Sequence, residues 1–187
     1  MKRHLPVILA RTCQRGTTLL ELLVTLSIAV ILMSIAVPSF QNLIRTNRIA
    51  SVTNEMVRAL HLARSEAVNR GVSVSICKSD NPGAPTPACD ENAAWDDGWL
   101  IFEDPDRDAK LADPADLIRV GQLAMKDTDL SITSNNYAKY VTYSPTGTPK
   151  GNGNLSNTSI WICMPPDERS IIINITGRIR TETGNCS

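Results

Sequence analysis

Two arginines near the C-terminus, Arg178 and Arg180, stand one residue apart after Gly177 in the stretch ITGRIRTETGNCS. In an extended chain alternate side chains point the same way, so the two guanidinium groups project from one face, roughly 6–7 Å apart. That is near the spacing of successive phosphates along a nucleic-acid strand, and the planar fork of arginine suits phosphate oxygens. Gly177 permits a sharp turn or a close backbone approach just before them. Lys139, Lys150 and Arg169 extend this cation site if the fold brings them near. In the competing reading the pair faces water beside Glu182, the usual fate of surface charges. The residues alone leave both readings open.

Other chemistry is poorly supported. Asp104, Asp106 and Asp108 have the alternate spacing of a calcium loop, but Ala109 stands where the tight turn wants glycine and Ala115 where a bidentate glutamate belongs. A hairpin turn bearing solvated carboxylates is the expectation, with no metal. Zinc needs clustered ligands, and the chain has no C-x-x-C spacing and, beyond residue 16, only His61 as histidine. No serine or cysteine has an arguable base partner, so neither an enzyme nor a cofactor is expected.

Cys77, Cys89, Cys163 and Cys186 lie in the C-terminal two-thirds, and Cys13 lies near the N-terminus. Four cysteines in a loop-rich domain suggest two disulfides in an oxidising compartment, and three pairings are possible. Cys77–Cys89 and Cys163–Cys186 are favoured because each joins segments close along the chain. The second bridge would hold an otherwise loose tail against the domain.

The formal net charge of zero hides an asymmetry. Residues 1–16 carry Lys2, Arg3, Arg11 and Arg15 and no acid, so the remainder holds 15 basic and 19 acidic residues. Within it, residues 90–129 hold 12 acids against four bases, a net of −8. A polyanion is repelled by the middle of the domain and tolerated only towards its ends.

The elements that position these residues begin with an apolar run. Leu22 to Val37 is sixteen residues without a charge, extended upstream by Leu19 and Leu20, and close to the thickness of a bilayer core as a helix. The preceding Lys and Arg side chains keep the N-terminus cytoplasmic, so the domain faces outward. An ordinary secretory signal or a plain anchor would serve, but neither explains Glu21, whose carboxylate near the edge of the run needs a partner. After Pro38, Ile49, Val52, Met56, Leu60, Ala63 and Ala67 recur at helical spacing, predicting a helix to about Asn69 that Gly71 ends. Arg45, Arg48, Arg58, Arg64 and Arg70 form either its solvated face or a face that supports binding or packing.

Downstream, short β-rich runs alternate with turn residues. Strands are expected at 72–77, 98–103, 117–123, 130–133, 139–144, 159–164 and 170–175, with turns in NPGAPTPACDEN and PTGTPKGNGN. One core with an appendage is the expectation for 187 residues. The fold class is α+β: a long helix against a small antiparallel sheet or sandwich. No internal repeat is apparent.

The stretch RGTTLLELLV resembles the processing site of type IV pilins and type II secretion pseudopilins. The resemblance implies that a prepilin peptidase cuts after Gly16 and methylates the new N-terminus at Thr17, leaving Glu21 as fifth residue. Thr17 stands where Phe or Met is usual, and the leader is longer than many. A neighbour's N-terminal amine is then a natural partner for Glu21 in assembly. Pro38 matches a proline that commonly kinks or interrupts the helix.

The strand ending at Cys77, then Cys89, WDDGWLIFEDPDRD and the closing glycine-arginine-x-arginine resemble the FimT/GspH group of minor pilins and pseudopilins. That resemblance implies two β-sheets against the end of the helix. The layout is a leader at 1–16, a membrane and assembly helix at 17–38, an amphipathic helix at 39–70 and a head at 71–187. Implied partners are other pilins or pseudopilins, prepilin peptidase, the inner membrane and, in the FimT branch, double-stranded DNA captured through Gly177, Arg178 and Arg180 for natural transformation. The GspH branch implies a structural subunit of type II secretion. The head would be periplasmic, reaching the pilus or cell surface after assembly.

Overall fold

Helix α1 runs from Leu19 to Arg70, 52 residues. The computed structural model describes residues 16–123, 129–152 and 158–186; most of the expected leader and Cys13 lie outside them. Thr18 caps the helix: its hydroxyl accepts the Glu21 N–H at 3.2 Å, and its carbonyl accepts the Leu22 N–H at 3.1 Å. Thr18-Leu-Leu-Glu21 has the spacing of a capping box, and Glu21 lies in the first turn, at the positive end of the helix. At the far end Gly71 takes φ +69° and its N–H closes on the Ala67 carbonyl. Pro38 lies inside the helix instead of dividing it.

The chain forms two compact units, Met1–Asn42 and Leu43–Ser187. In the first, Leu22, Leu26, Val30, Met33 and Val37 are exposed. The helix is long and apolar enough to cross a membrane, with a mean hydropathy of 2.5 over its most apolar stretch. The hydroxyls there bond back to the helix, Thr25 to Leu22, Ser27 to Leu23 and Ser34 to Ile31, at 2.7–2.9 Å. Such bonds make polar side chains tolerable in lipid.

In the second unit the apolar stripe is buried as its spacing requires, Ile49, Met56, Leu60, Ala63 and Ala67 being almost wholly inaccessible. Two antiparallel sheets share the core with it. Sheet A contains β1 (Val74–Lys78), β2 (Trp99–Glu103), β3 (Leu117–Gly121), β5 (Tyr140–Tyr143) and β6 (Pro149–Gly151), in the order β3-β2-β1-β5-β6. Sheet B contains β4 (Ser131–Ser134), β7 (Thr158–Met164), β8 (Asp167–Ile173) and β9 (Ile179–Asn185), in the order β4-β7-β8-β9. Ile76, Ile101 and Val141 from sheet A meet Ile132, Ile160 and Ile171 from sheet B in that core.

The second face of sheet A is also covered. Cys77, Leu100 and Phe102 pack with Cys89, Leu111, Leu117 and Tyr140, which is why β1 is buried on both faces. Of the three possible pairings, the structure has Cys77–Cys89 and Cys163–Cys186. All seven expected strands are present within a residue or three, and β6 and β9 are additional. The C-terminal segment is therefore no loose tail: β9 pairs with β8 over seven residues, from Ile173↔Ile179 to Asp167↔Asn185. The ladder, besides the disulfide, holds it.

Candidate functional site

The hairpin joining β8 to β9 turns through Asn174-Ile175-Thr176-Gly177-Arg178. Gly177 takes φ +76° and its N–H donates to the Asn174 carbonyl at 2.8 Å. The Asn174 N–H donates to the Arg178 carbonyl, and the Asn174 side-chain oxygen accepts the Arg178 N–H at 2.9 Å. The same turn occurs between β5 and β6, at Ser144-Pro145-Thr146-Gly147-Thr148. There Gly147 also has φ +76°, its N–H donates to the Ser144 carbonyl at 2.8 Å, and the Ser144 hydroxyl accepts the Thr148 N–H. Both turns use a short polar side chain to close the loop and a glycine in the left-handed region, where other residues are strained.

The two turns touch. A Cβ on Gly177 would lie 2.2 Å from the Gly147 carbonyl oxygen, so only glycine fits there. Arg64 of α1 joins them, its Nε donating to the Gly147 carbonyl at 3.2 Å and its Nη2 to the Thr176 carbonyl at 2.8 Å. On sequence Arg64 reads only as one of five arginines on a helix face. The signal that could have singled out its partners is the repeated Ser/Asn-x-Thr-Gly, hidden by the difference in its flanks.

Arg178 and Arg180 leave this turn on one face of the hairpin. Strand alternation pairs Arg180 with Ile172 and sets Arg178 opposite Asn174. Both are exposed, and they border an open groove of about 610 Å³ with Ile172, Asn174, Ile175 and Thr176. Arg180 Nε lies 3.3 Å from Glu182, one step along the same face, with 66% of the arginine side chain accessible. So exposed an ion pair is weak and salt-sensitive.

The other cations are placed differently. Lys150 is exposed on β6, at the position that corresponds to Arg180 in the second turn, opposite Thr142. Lys139 lies at the opposite end of β5 from Ser144 and is bound to Glu91. Arg169 pairs with Ile162 and Thr183, and alternation puts it on the sheet face opposite to that of Arg180. Gly16 and Thr17 precede α1 and are exposed.

The acidic segment is arranged around Asp104, which is 1% exposed. Its carboxylate accepts the N–H groups of Asp108 and Ala109, each at 3.1 Å, and the hydroxyl of Ser75. Ser75 also bonds Thr142 of β5. Burial holds the Asp104 carboxyl above the usual aspartate range, against the opposing hydrogen bond from Ser75. Asp106 and Asp108 bring carboxylate oxygens within 4.8 Å of it and are exposed. Ala109 adopts φ 59°, the conformation for which glycine is the usual residue. Arg107 Nε ties the loop back to Ser73 at 2.9 Å.

Comparison with known proteins bears on what carries this site. The family model described as "Type II transport protein GspH" matches residues 52–177, about two-thirds of the chain. The chain belongs to the GspH/FimT family of pilins. A second model, the prokaryotic N-terminal methylation motif, matches residues 11–37, across Gly16, Thr17 and Glu21. The pilin is similar in fold to the type IV minor pilin FimU of Pseudomonas aeruginosa in two crystal forms. In one it has 22% identity and a TM-score of 0.55, covering 73% of this chain and 90% of FimU. In the other it has 22% identity and a TM-score of 0.50, covering 71% and 91%. No curated protein matches. Membership implies assembly with other pilins and processing by prepilin peptidase, and the apolar half of α1 suits inner-membrane anchoring. The GspH match ends at Gly177, so Arg178, Arg180 and all of β9 lie beyond it.

Proposed function

We propose that this minor pilin binds extracellular double-stranded DNA through Gly177, Arg178 and Arg180, with Lys150 as an outlying contact, for uptake in natural transformation. The observation that carries the reading is the rigid, glycine-dependent turn from which two exposed arginines leave on one face. Guanidinium groups launched from a fixed backbone meet phosphates at the cost of ordering the side chains alone, and phosphate contacts bring no sequence preference. Lys139, engaged with Glu91, and Arg169, on the other sheet face, lie outside this contact. Few phosphates are neutralised per subunit, so affinity is low and salt-sensitive, and repetition along a filament compensates. No catalysis, metal or cofactor enters this role.

The N-terminal half serves assembly. Prepilin peptidase cuts after Gly16, Thr17 becomes the methylated N-terminus, and Glu21 pairs with a neighbour's terminal amine. The helix holds the pilin in the inner membrane with its head in the periplasm until it enters the pilus. Mass analysis of the mature chain tests the cut: a start at Met1 or Val37 contradicts it.

The full chain in an uncharged detergent, titrated with duplex DNA at low salt, tests the binding. Arg178→Gln with Arg180→Gln weakens it by about a hundredfold, the loss of two charge-assisted phosphate contacts. Equal binding by parent and double variant contradicts the reading. The name of the matched family favours a second reading, a structural tip or initiating subunit of a type II secretion pseudopilus. Under it, deletion of the protein abolishes secretion or piliation while the double variant is fully functional.

A further inference from the structure

We propose that Arg64 is a positioning residue for the DNA contact: its fork locks the β5–β6 and β8–β9 turns together and so fixes the direction in which Arg178 and Arg180 leave the sheet. This rests on the function proposed above. The two acceptors belong to different sheets, Gly147 to sheet A and Thr176 to sheet B, and lie 83 and 112 residues from Arg64 along the chain. Each carbonyl is at the tip of its turn. The Thr176 carbonyl is part of the peptide that leads into Gly177, and the Gly147 carbonyl fills the space a Gly177 side chain would need. Asn174 in turn accepts the Arg178 N–H, so the guanidinium restrains the backbone one peptide from the first phosphate-binding residue.

Shape explains why arginine does this. Two carbonyls from two loops must be met by one rigid donor, and the planar guanidinium offers Nε and Nη2 in a fixed geometry that a single ammonium cannot reproduce. Nε–H and one Nη2–H of Arg64 are committed to these carbonyls, so its part in the contact is to hold the turns, and a direct phosphate contact would have to use the remaining N–H groups.

Hydrogen exchange and DNA titration of the full chain in uncharged detergent test this together. In Arg64→Gln, exchange at the Gly147 and Gly177 amides rises together by about tenfold, while the β7–β8 ladder is unmoved. Duplex binding weakens by about tenfold, and adding Arg64→Gln to the Arg178→Gln, Arg180→Gln variant causes no further loss, the non-additivity expected of groups that act through one another. Arg64→Met, which retains the aliphatic stem, behaves in the same way, and Arg64→Lys restores less than half of the protection. The positioning role is overturned if the two glycine amides do not respond, or if the loss from Arg64→Gln adds in full to that of the double variant, as a direct phosphate contact would. Failure of the DNA reading is separate: it appears as equal binding by the parent and the Arg178→Gln, Arg180→Gln variant.

Discussion

Two charged regions of this pilin, the Asp104 loop and the Gly177 turn, are built by opposite means. In the first, the backbone folds around a side chain: Asp104 is buried and its oxygens accept two N–H groups and a hydroxyl, so the carboxylate organises the loop. In the second, side chains are presented by a backbone. Carbonyls and turn donors are satisfied by Asn174, Arg64 and one another, and the arginine heads remain in water. The difference teaches that a cluster of charge indicates a site only where its polar atoms are not already engaged by the fold.

The largest expected effect of breaking that contrast is at Asp104. Asp104→Ala leaves two amides and a buried hydroxyl without their acceptor and destabilises the head by about 3 kcal/mol, measured by denaturant unfolding. DNA affinity of the folded protein stays within about twofold, because the loop is acidic on balance and contributes no residue to the proposed contact. Next come the paired glycines, which share φ +76° but not surroundings. Gly177→Ala meets a backbone carbonyl at 2.2 Å and costs about 2 kcal/mol, whereas Gly147→Ala has its nearest neighbours, Arg64 Nε and Val68 Cγ2, at 3.0 and 3.4 Å and costs about 1 kcal/mol, mostly left-handed strain. Equal losses would show that contact between the turns is unimportant. The smallest effect is at Glu182. Glu182→Gln releases Arg180 and removes a nearby negative charge, and so strengthens duplex binding about twofold at low salt, with no change in melting temperature.

Much of this architecture was legible because it rests on periodicity. The stripe from Ile49 to Ala67 and the seven strands have the apolar spacings that their elements require, and all appear. β6 was hidden because Pro149-Lys150-Gly151 is composed of turn residues, and its strand character comes only from pairing with Val141 to Tyr143. β9 was hidden for a related reason. Its residues Arg180 to Asn185 are polar, and an exposed edge strand needs no apolar face to be held by a ladder. Gly177, Arg178 and Arg180, the proposed contact, stand out by type and spacing alone. Arg64 does not, since its two hydrogen bonds depend on carbonyls brought together from the turns of two sheets. For Lys139 and Arg169, strand position and parity decide, neither of which charge alone reveals.

The central claim is that Arg178 and Arg180 are the phosphate contacts, and the salt dependence of duplex binding tests it most directly. The account predicts that log K falls linearly with log salt concentration in the full chain, and that Arg178→Gln with Arg180→Gln makes the slope shallower by about 2, one counterion per arginine. A slope unchanged by the double substitution contradicts it.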